Sequence, residues 1–416
     1  MISTTPHVVS RSESKVIQEL EQFLQTHEIM HVGECIDWFE VPIEDVLFRR
    51  LFHDLAIYIN GGQVVGLSLR NCQLSTLPEV VCNLKHLSHL DLSNNEISTL
   101  PESISELTKL QSLYLAFNKL MAMPQSIRLC KQIRTLDLAY NRFSHVGSQI
   151  CSLSRLQVLH FNDNRLVTIP DELANLKRLR VVNMRSNNLR WVNESFWKLK
   201  NLERLMLSHN QIVALPEGFG SLKKLTMLGL AYNLLEEVPE ELGHLTSLSG
   251  FLYLNGNQLS DLPKDLKYLS QIRHVLLQDN AFTDLPEVLR QMPQLETIDA
   301  TNNQIESIPS WIAEISALRS LTMRRNKIRV LPNSMGRLQK LESIDLANNL
   351  VMHLPGEMST MASLERINLQ SNPVLRLSAW LGELKRLKKL DLRWTKMALA
   401  PNGLEELVLD GCEVYT

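Results

Sequence analysis

Asparagine stands at positions 95, 118, 141, 164, 187, 210 and 233, each 23 residues after the last. It returns one residue late at 257, then continues at 280, 303, 326, 349 and 372, again every 23. A fixed period of this length means that one supersecondary unit is repeated along most of the chain. Each unit then buries its apolar edge only against its neighbours, and the core grows lengthwise.

The unit is clearest in Leu87-x-x-Leu90-x-Leu92-x-x-Asn95-x-Ile97-x-x-Leu100-Pro101-x-x-Ile104-x-x-Leu107. Sixteen such units start from Val64, the last two irregular, with the final strand expected at Leu404–Leu409 and no cap helix after it. The alternating Leu-x-x-Leu-x-Leu portion predicts a short strand with one face inward. Stacked strands make a parallel sheet whose other face is open. The asparagine amide is expected to bond the backbone of its own turn and of the next repeat. Proline at the fifteenth position, absent only at Gly147, Asn193 and Ser378 in the first 15 units, ends the pairing and fixes an extended return. The apolar pair after it, such as Ile104 and Leu107, suits a short helical turn.

Residues 1–62 do not fit the repeat. Val16, Leu20, Phe23, Leu24 and Ile29 follow helical spacing after Ser12 and Ser14. A second helix is expected from Pro42 through Val46, Leu51, Phe52, Leu55 and Ile59, ended by Asn60-Gly61-Gly62. The expected domains are an N-terminal helical cap, 1–62, and a repeat array, 63–416. At the far end a strand edge lies bare, with Thr395 and Cys412 in the asparagine slot. Either polar residues protect that edge or it contacts another subunit.

Composition narrows the function. Lys+Arg number 43 against 45 Asp+Glu, so no global field favours nucleic acid. The aliphatic stretch Val46–Ile59 is broken by Arg49, Arg50, His53 and Asp54, and no membrane span is expected. Residues 1–10 lack the pattern of a signal peptide. The six cysteines form no C-x-x-C pair, which points to a reducing, cytoplasmic setting. Asn193-Glu194-Ser195 is a lone glycosylation sequon and weak as a signal.

The 23-residue unit with Leu-Pro after the turn, as in Leu215-Pro216 and Leu331-Pro332, resembles intracellular leucine-rich repeat scaffolds related to Ras-binding proteins. Plant and bacterial cytoplasmic members look similar. The resemblance covers residues 64–416. It implies an α/β fold, a curved leucine-rich repeat solenoid with a parallel concave β-sheet and short helical or extended convex segments. It also implies a protein partner on the concave sheet, often a signalling protein such as a small GTPase. The Gly-x-Ile-Pro of plant receptor ectodomains is missing, and no ubiquitin-ligase domain follows the repeats.

No phosphate loop, zinc spacing or nucleophile elbow is present, and neither an enzyme nor a cofactor is expected. Cys82, His86 and His89 are close in sequence but fall on different segments, which argues against a metal. Asp163, Ser186 and His209 share a column. However, Asp163 and His209 would stand ~10 Å apart at ~4.8 Å per strand, too far for a triad.

The informative residues occupy the outward strand slots. Tyr114, Phe117, Tyr140, His160, Asp163, Met206, His209, Met227, Tyr232, Phe251, Tyr253 and Leu276 stand where a scaffold needs no aromatic or Met. Asn183 and Arg185 lie among them and would supply orientation. Such residues are enriched in binding cores; the competing reading is that stacked rings merely cover one another. Arg324 and Arg325, with Lys327 and Arg329, form a secondary basic patch that Asp299 and Asp345 would partly neutralise. Trp191, Trp197, Trp311 and Trp380 lie on return segments, where some should be partly exposed. The late asparagine at 257 predicts a bulge at Ser249-Gly250 that re-aims the strand carrying Phe251 and Tyr253. Two functions follow. One is a protein-binding scaffold. The other is a regulatory subunit or delivered bacterial effector whose N-terminal block holds the target while the repeats set geometry.

Overall fold

A computed structural model describes residues 9–27, 37–40, 54–377, 379–396 and 404–416. The expectations for Ile29, Cys35, the stretch from Pro42 to Phe52, Ser378 and Pro401 lie outside them. The chain forms two compact units, Met1–Met206 and Leu207–Thr416.

The first unit opens with helix α1 (Arg11–Thr26). Ser10 caps it, two residues before the expected start, its hydroxyl accepting from the Glu13 N–H at 3.4 Å. Val16, Ile17, Leu20 and Leu24 turn inward, while Phe23 stacks on His27 at 4.0 Å. Glu13 is buried and ties the helix to the array. Its carboxylate accepts from the Val64 N–H at 3.3 Å and lies 3.3 Å from His86 Nδ1.

The expected second helix is wrong over its last part. Strand β1 (Asp37–Glu40) pairs in parallel with β2 (Leu55–Asn60), and β2 makes an antiparallel hairpin with β3 (Gln63–Leu69). The sequence Leu-Ala-Ile-Tyr-Ile is dominated by β-branched and aromatic residues, which favour a strand. Gly61 and Gly62, both at positive φ, form the tight turn rather than a helix stop.

From β3 onward each repeat contributes one strand. In the first unit these continue as β4 (His89–Asp91), β5 (Ser112–Tyr114), β6 (Thr135–Asp137), β7 (Val158–His160), β8 (Val181–Asn183) and β9 (Arg204–Met206), each in parallel register with the next. In the second unit they are β10 (Met227–Gly229), β11 (Gly250–Tyr253), β12 (Ile272–Leu276), β13 (Thr297–Asp299), β14 (Ser320–Thr322), β15 (Ser343–Asp345), β16 (Arg366–Asn368), β17 (Lys389–Asp391) and β18 (Glu413–Tyr415). Leucines of the repeat pattern fill the core, Leu90, Leu113, Leu136 and Leu159 among them at zero exposure. Most return segments hold a 3-10 turn after an extended proline, for example Glu102–Glu106 after Pro101 at φ −70°, ψ 151°.

Gly147 holds a proline-like backbone, φ −68° and ψ 148°, before the short helix α2 (Ser148–Cys151). Buried Gln149 donates there to the Met123 carbonyl at 2.7 Å. Asn193 does the same to Ile169 at 2.7 Å, so the sequon amide has a structural partner.

The asparagine links each repeat to the one before it, not to the next as expected. Asn118 Oδ1 accepts from the Ile97 N–H at 2.9 Å, and its amide donates to the Leu92 carbonyl at 2.9 Å and to Leu115 of its own turn at 3.1 Å. Asn303 and Asn349 repeat this pattern. The side chain thus pairs groups that a buried turn would leave unsatisfied.

The last strand is β18, paired in register with β17, and Leu404–Leu409 is helix α3. The spacing Leu404-x-x-Leu407-x-Leu409 imitates the strand motif. Yet Leu404 and Leu407 are buried as an i, i+3 helical pair, while Leu409 is 85% exposed. The unit from Leu387 therefore runs on to Asp410, and Gly411 starts the final one.

Replacing Asn118 with alanine strands two buried backbone groups of the preceding repeat, and we expect a loss of about 2–4 kcal/mol. Urea unfolding of that variant against the parent chain is the measurement; an unchanged midpoint contradicts the role given to the ladder.

Candidate functional site

The residue just before each asparagine stands at positive φ. In the first unit these are Asn94, Phe117, Tyr140, Asp163 and Ser186; in the second, His209, Tyr232, Gly256, Asp279, Asn302, Arg325, Asn348 and Ser371, and Trp394 does the same before Thr395, which takes the asparagine's place. The asparagine ladder requires this left-handed turn, which glycine and asparagine adopt readily. A non-glycine residue pays about 1–2 kcal/mol there. Bulky rings nonetheless occupy Phe117, Tyr140, His209, Tyr232 and Trp394. Sequence reading placed most of these rings on the open face but missed the strain at each, and missed Trp394, which is 73% exposed.

In the first unit Phe117 and Tyr140 stack face to face, centroids 4.0 Å apart with planes 8° from parallel. They remain 50% and 45% exposed, so mutual cover is incomplete. Tyr114 lies at the outward end of β5, in register with Asp91 and Asp137. His160 is paired in register with Asn183, and Asn183 with Met206. Arg185 is exposed and its N–H bonds the Asn183 side chain at 3.1 Å. Asn183 in turn donates to Asn162 at 3.0 Å.

The expectation that outward slots face water fails on the earliest strands. Ser68, His89, Asp91, Ser93 and Ser112 are buried. They are small or internally bonded: Ser93 N–H donates to Asp91 at 2.8 Å, and the Ser88 hydroxyl lies 2.9 Å from His89 Nδ1. Burial pulls the His89 pKa down to about 4, and its Nε2 has no hydrogen-bond partner among the described residues. His86 faces Glu13, away from the metal arrangement weighed above.

In the second unit His209 and Tyr232 stack at 4.4 Å. The other face of Tyr232 lies over Gly256, where an added Cβ would sit 2.4 Å from the ring. Phe251 stacks on Tyr253 at 5.4 Å and on His274 at 4.3 Å. Met227, Tyr232 and Phe251 are 36–45% exposed. Gly256 and His274 are the members that sequence reading missed. A glycine replacing the usual turn residue beside the aromatic run is the signal that pointed to the first.

The bulge predicted near 250 is present. Gly250, at φ +74°, faces Ile272, and the register then shifts so that Phe251 faces His274. The extra residue is absorbed at Gly250, the first residue of β11, so Leu252 and Leu254 stay buried and Phe251 and Tyr253 keep the outward slots opposite His274 and Leu276.

Beyond the rings, a recess of about 440 Å³ runs from Tyr232 across Gln278, Asp279 and Asp299 to Arg324 and Arg325. Of the two expected neutralising carboxylates, Asp345 approaches Arg324 at 3.9 Å, and Asp299 bonds Gln278 instead. On the return segments Trp191 is 49% exposed and Trp197 is buried. The five described cysteines, at 72, 82, 130, 151 and 412, are free and buried, and burial pushes the Cys130 thiol up to about 12. Among the described residues no helix is long and apolar enough to cross a membrane.

A leucine-rich repeat region model matches residues 118–260, and a leucine rich repeat model matches 63–120 and 316–374. With one strand per repeat and an asparagine turn in thirteen of them, the chain is a leucine-rich repeat protein. Among solved structures it is similar to a leucine-rich repeat protein of Leptospira interrogans, with 28% identity over 87% of this chain and 84% of that one (TM-score 0.66). It is also similar to the plant peptide hormone receptor RGFR1, solved in complex with RGF2, at 26% identity over 86% of this chain and 58% of the receptor (TM-score 0.66). Toll of Drosophila, in its complex with Spatzle, shares the fold at 22% identity over 81% of this chain and 48% of Toll (TM-score 0.70). No curated protein matches the sequence.

Two measurements follow. Changing Phe117 to asparagine relieves the left-handed strain, so thermal stability should hold or rise, by up to about 1 kcal/mol once lost stacking is set against it; a large fall would make the ring structural. His89 takes a proton near pH 6.5 when unfolded and only near 4 when folded. Between those values the unfolded chain binds more protons, so stability drops as pH falls through that window, by about 2–3 kcal/mol. Urea midpoints from pH 7 to 4 should show that slope, and His89→Leu should flatten it.

Proposed function

We propose that this protein is a non-catalytic scaffold that docks a folded protein partner on the open face of its sheet. The observation that carries this is the set of exposed rings at left-handed turn positions. The turn itself needs none of Phe117, Tyr140 or Tyr232: asparagine fits the left-handed backbone at lower strain, and the rings' mutual stacking offsets that strain only in part. Large aromatic area at modest ordering cost is instead what a binding core uses. In the second unit the contact centres on Met227, Tyr232, Phe251 and Tyr253, with His209 and His274 as stacking supports. In the first it centres on Tyr114, Phe117 and Tyr140. That RGFR1 and Toll were solved as complexes with RGF2 and Spatzle fits a protein ligand for this chain too.

The same reading makes residues 1–62 a cap, held through Glu13 to the first repeat. The Leu-Pro class of repeat and the free, buried cysteines favour an intracellular signalling partner such as a small GTPase.

The test is quantitative affinity purification from the native cell with the parent chain and a Tyr232→Ala, Tyr253→Ala double variant. The protein lost by the variant is then purified and its Kd measured. We expect a loss of at least about a hundredfold, as two hot-spot rings imply, with the melting temperature kept. Equal affinity in a folded double variant removes the assignment.

A further inference from the structure

We propose that the recess beside Tyr232 recognises an acidic side chain. In this assignment an extended segment of the partner places one Asp or Glu carboxylate between Arg324 and Arg325 and lays an apolar residue on Tyr232. It rests on the docking face proposed above and adds the chemistry of the partner to it.

The recess carries two acids and two guanidinium groups, but the acids are already engaged. Asp299 accepts from Gln278 Nε2 at 2.6 Å and from the Thr301 N–H and hydroxyl at 3.0 and 2.7 Å. Asp279 accepts from the Asn302 amide at 2.6 Å. The cations are not matched in the same way. Arg324 reaches Asp345 only at 3.9 Å, and Arg325 is exposed and makes no ion pair among the described residues. Arg325 also holds a left-handed backbone, φ 53°, at a position where asparagine is cheaper. Gln278 Oε1, midway along, is buried without a donor among the described residues.

Two guanidinium forks lacking a close acceptor suit a carboxylate, which they bind in paired hydrogen bonds. The nearby Asp279 and Asp299 charges weigh against a dianionic phosphate. Tyr232 and Arg325 are four repeats apart, ~19 Å at ~4.8 Å per strand, which about six residue steps of an extended segment span. The apolar and acidic positions of the ligand are therefore about six residues apart.

A random linear peptide display library panned on the full chain tests this, with Arg324→Glu/Arg325→Glu and Tyr232→Ala chains alongside, each checked for an unchanged melting temperature. The parent should select peptides with Asp or Glu about six residues from an apolar side chain. The charge-reversed chain should select Lys or Arg in place of the acid. A selected peptide should lose about tenfold in affinity when its acid becomes the amide, and about as much against Arg325→Gln. Selection of the same peptides by parent and charge-reversed chains overturns the proposal, as does efficient displacement by millimolar inorganic phosphate. Peptides lost with Tyr232→Ala but indifferent to both arginines would leave the docking face standing and remove the acid pocket. A charge switch that ignores Tyr232→Ala would do the reverse. Failure of the parent chain to select any peptide family counts against both.

Discussion

The side-chain amide of the repeating asparagine is the contact on which the rest of this structure depends. A strand that must turn sharply at its end buries backbone groups that neither water nor a sheet partner can reach. Asn118, Asn303 and Asn349 supply donors and acceptor together, one to their own turn and two to the preceding repeat. Once that turn is fixed, the leucines inside, the left-handed residue before the amide and the extended return after it all follow. Where proline is missing from the return, Gln149 and Asn193 restore order by bonding the previous repeat.

The sequence exposed the parts governed by period. Spacing alone located the strands, the outward slots and the bulge at Gly250. It failed where a short pattern has two solutions. Leu404-x-x-Leu407-x-Leu409 satisfies both a strand of the repeat and one helical face, and the buried pair decides for helix. Leu55 to Ile59 was read at helical spacing although its composition favours a strand, and its pairing with β1 and β3 settles the matter. Neither error lies in the regular array, because there thirteen copies of the motif correct one another.

The candidate site was legible as residues but not as energetics. Tyr232 was visible as an aromatic in a polar slot. That its backbone is left-handed, that His209 stacks on one face and that Gly256 yields space on the other required coordinates. Of the recess, only the basic end was legible, as the patch of Arg324 and Arg325 beside Asp299. Asn255, Gln278, Asp279 and Thr301 look like any solvated sheet face. Only the hydrogen bonds show that the acids are occupied while the arginines lack close partners.

The left-handed column has a consequence for how such a protein changes over time. Its side chains stand on the open face, and its left-handed backbone shape is imposed by the turn. Apart from Gly256, where a Cβ would meet the Tyr232 ring, residues there can be exchanged one repeat at a time without repacking the leucine core. Glycine and asparagine form the resting state of the column, and each ring or guanidinium is a local departure from it. Specificity in this architecture is therefore written on a line that folding does not read, so a new partner can be acquired without risking the scaffold that presents it.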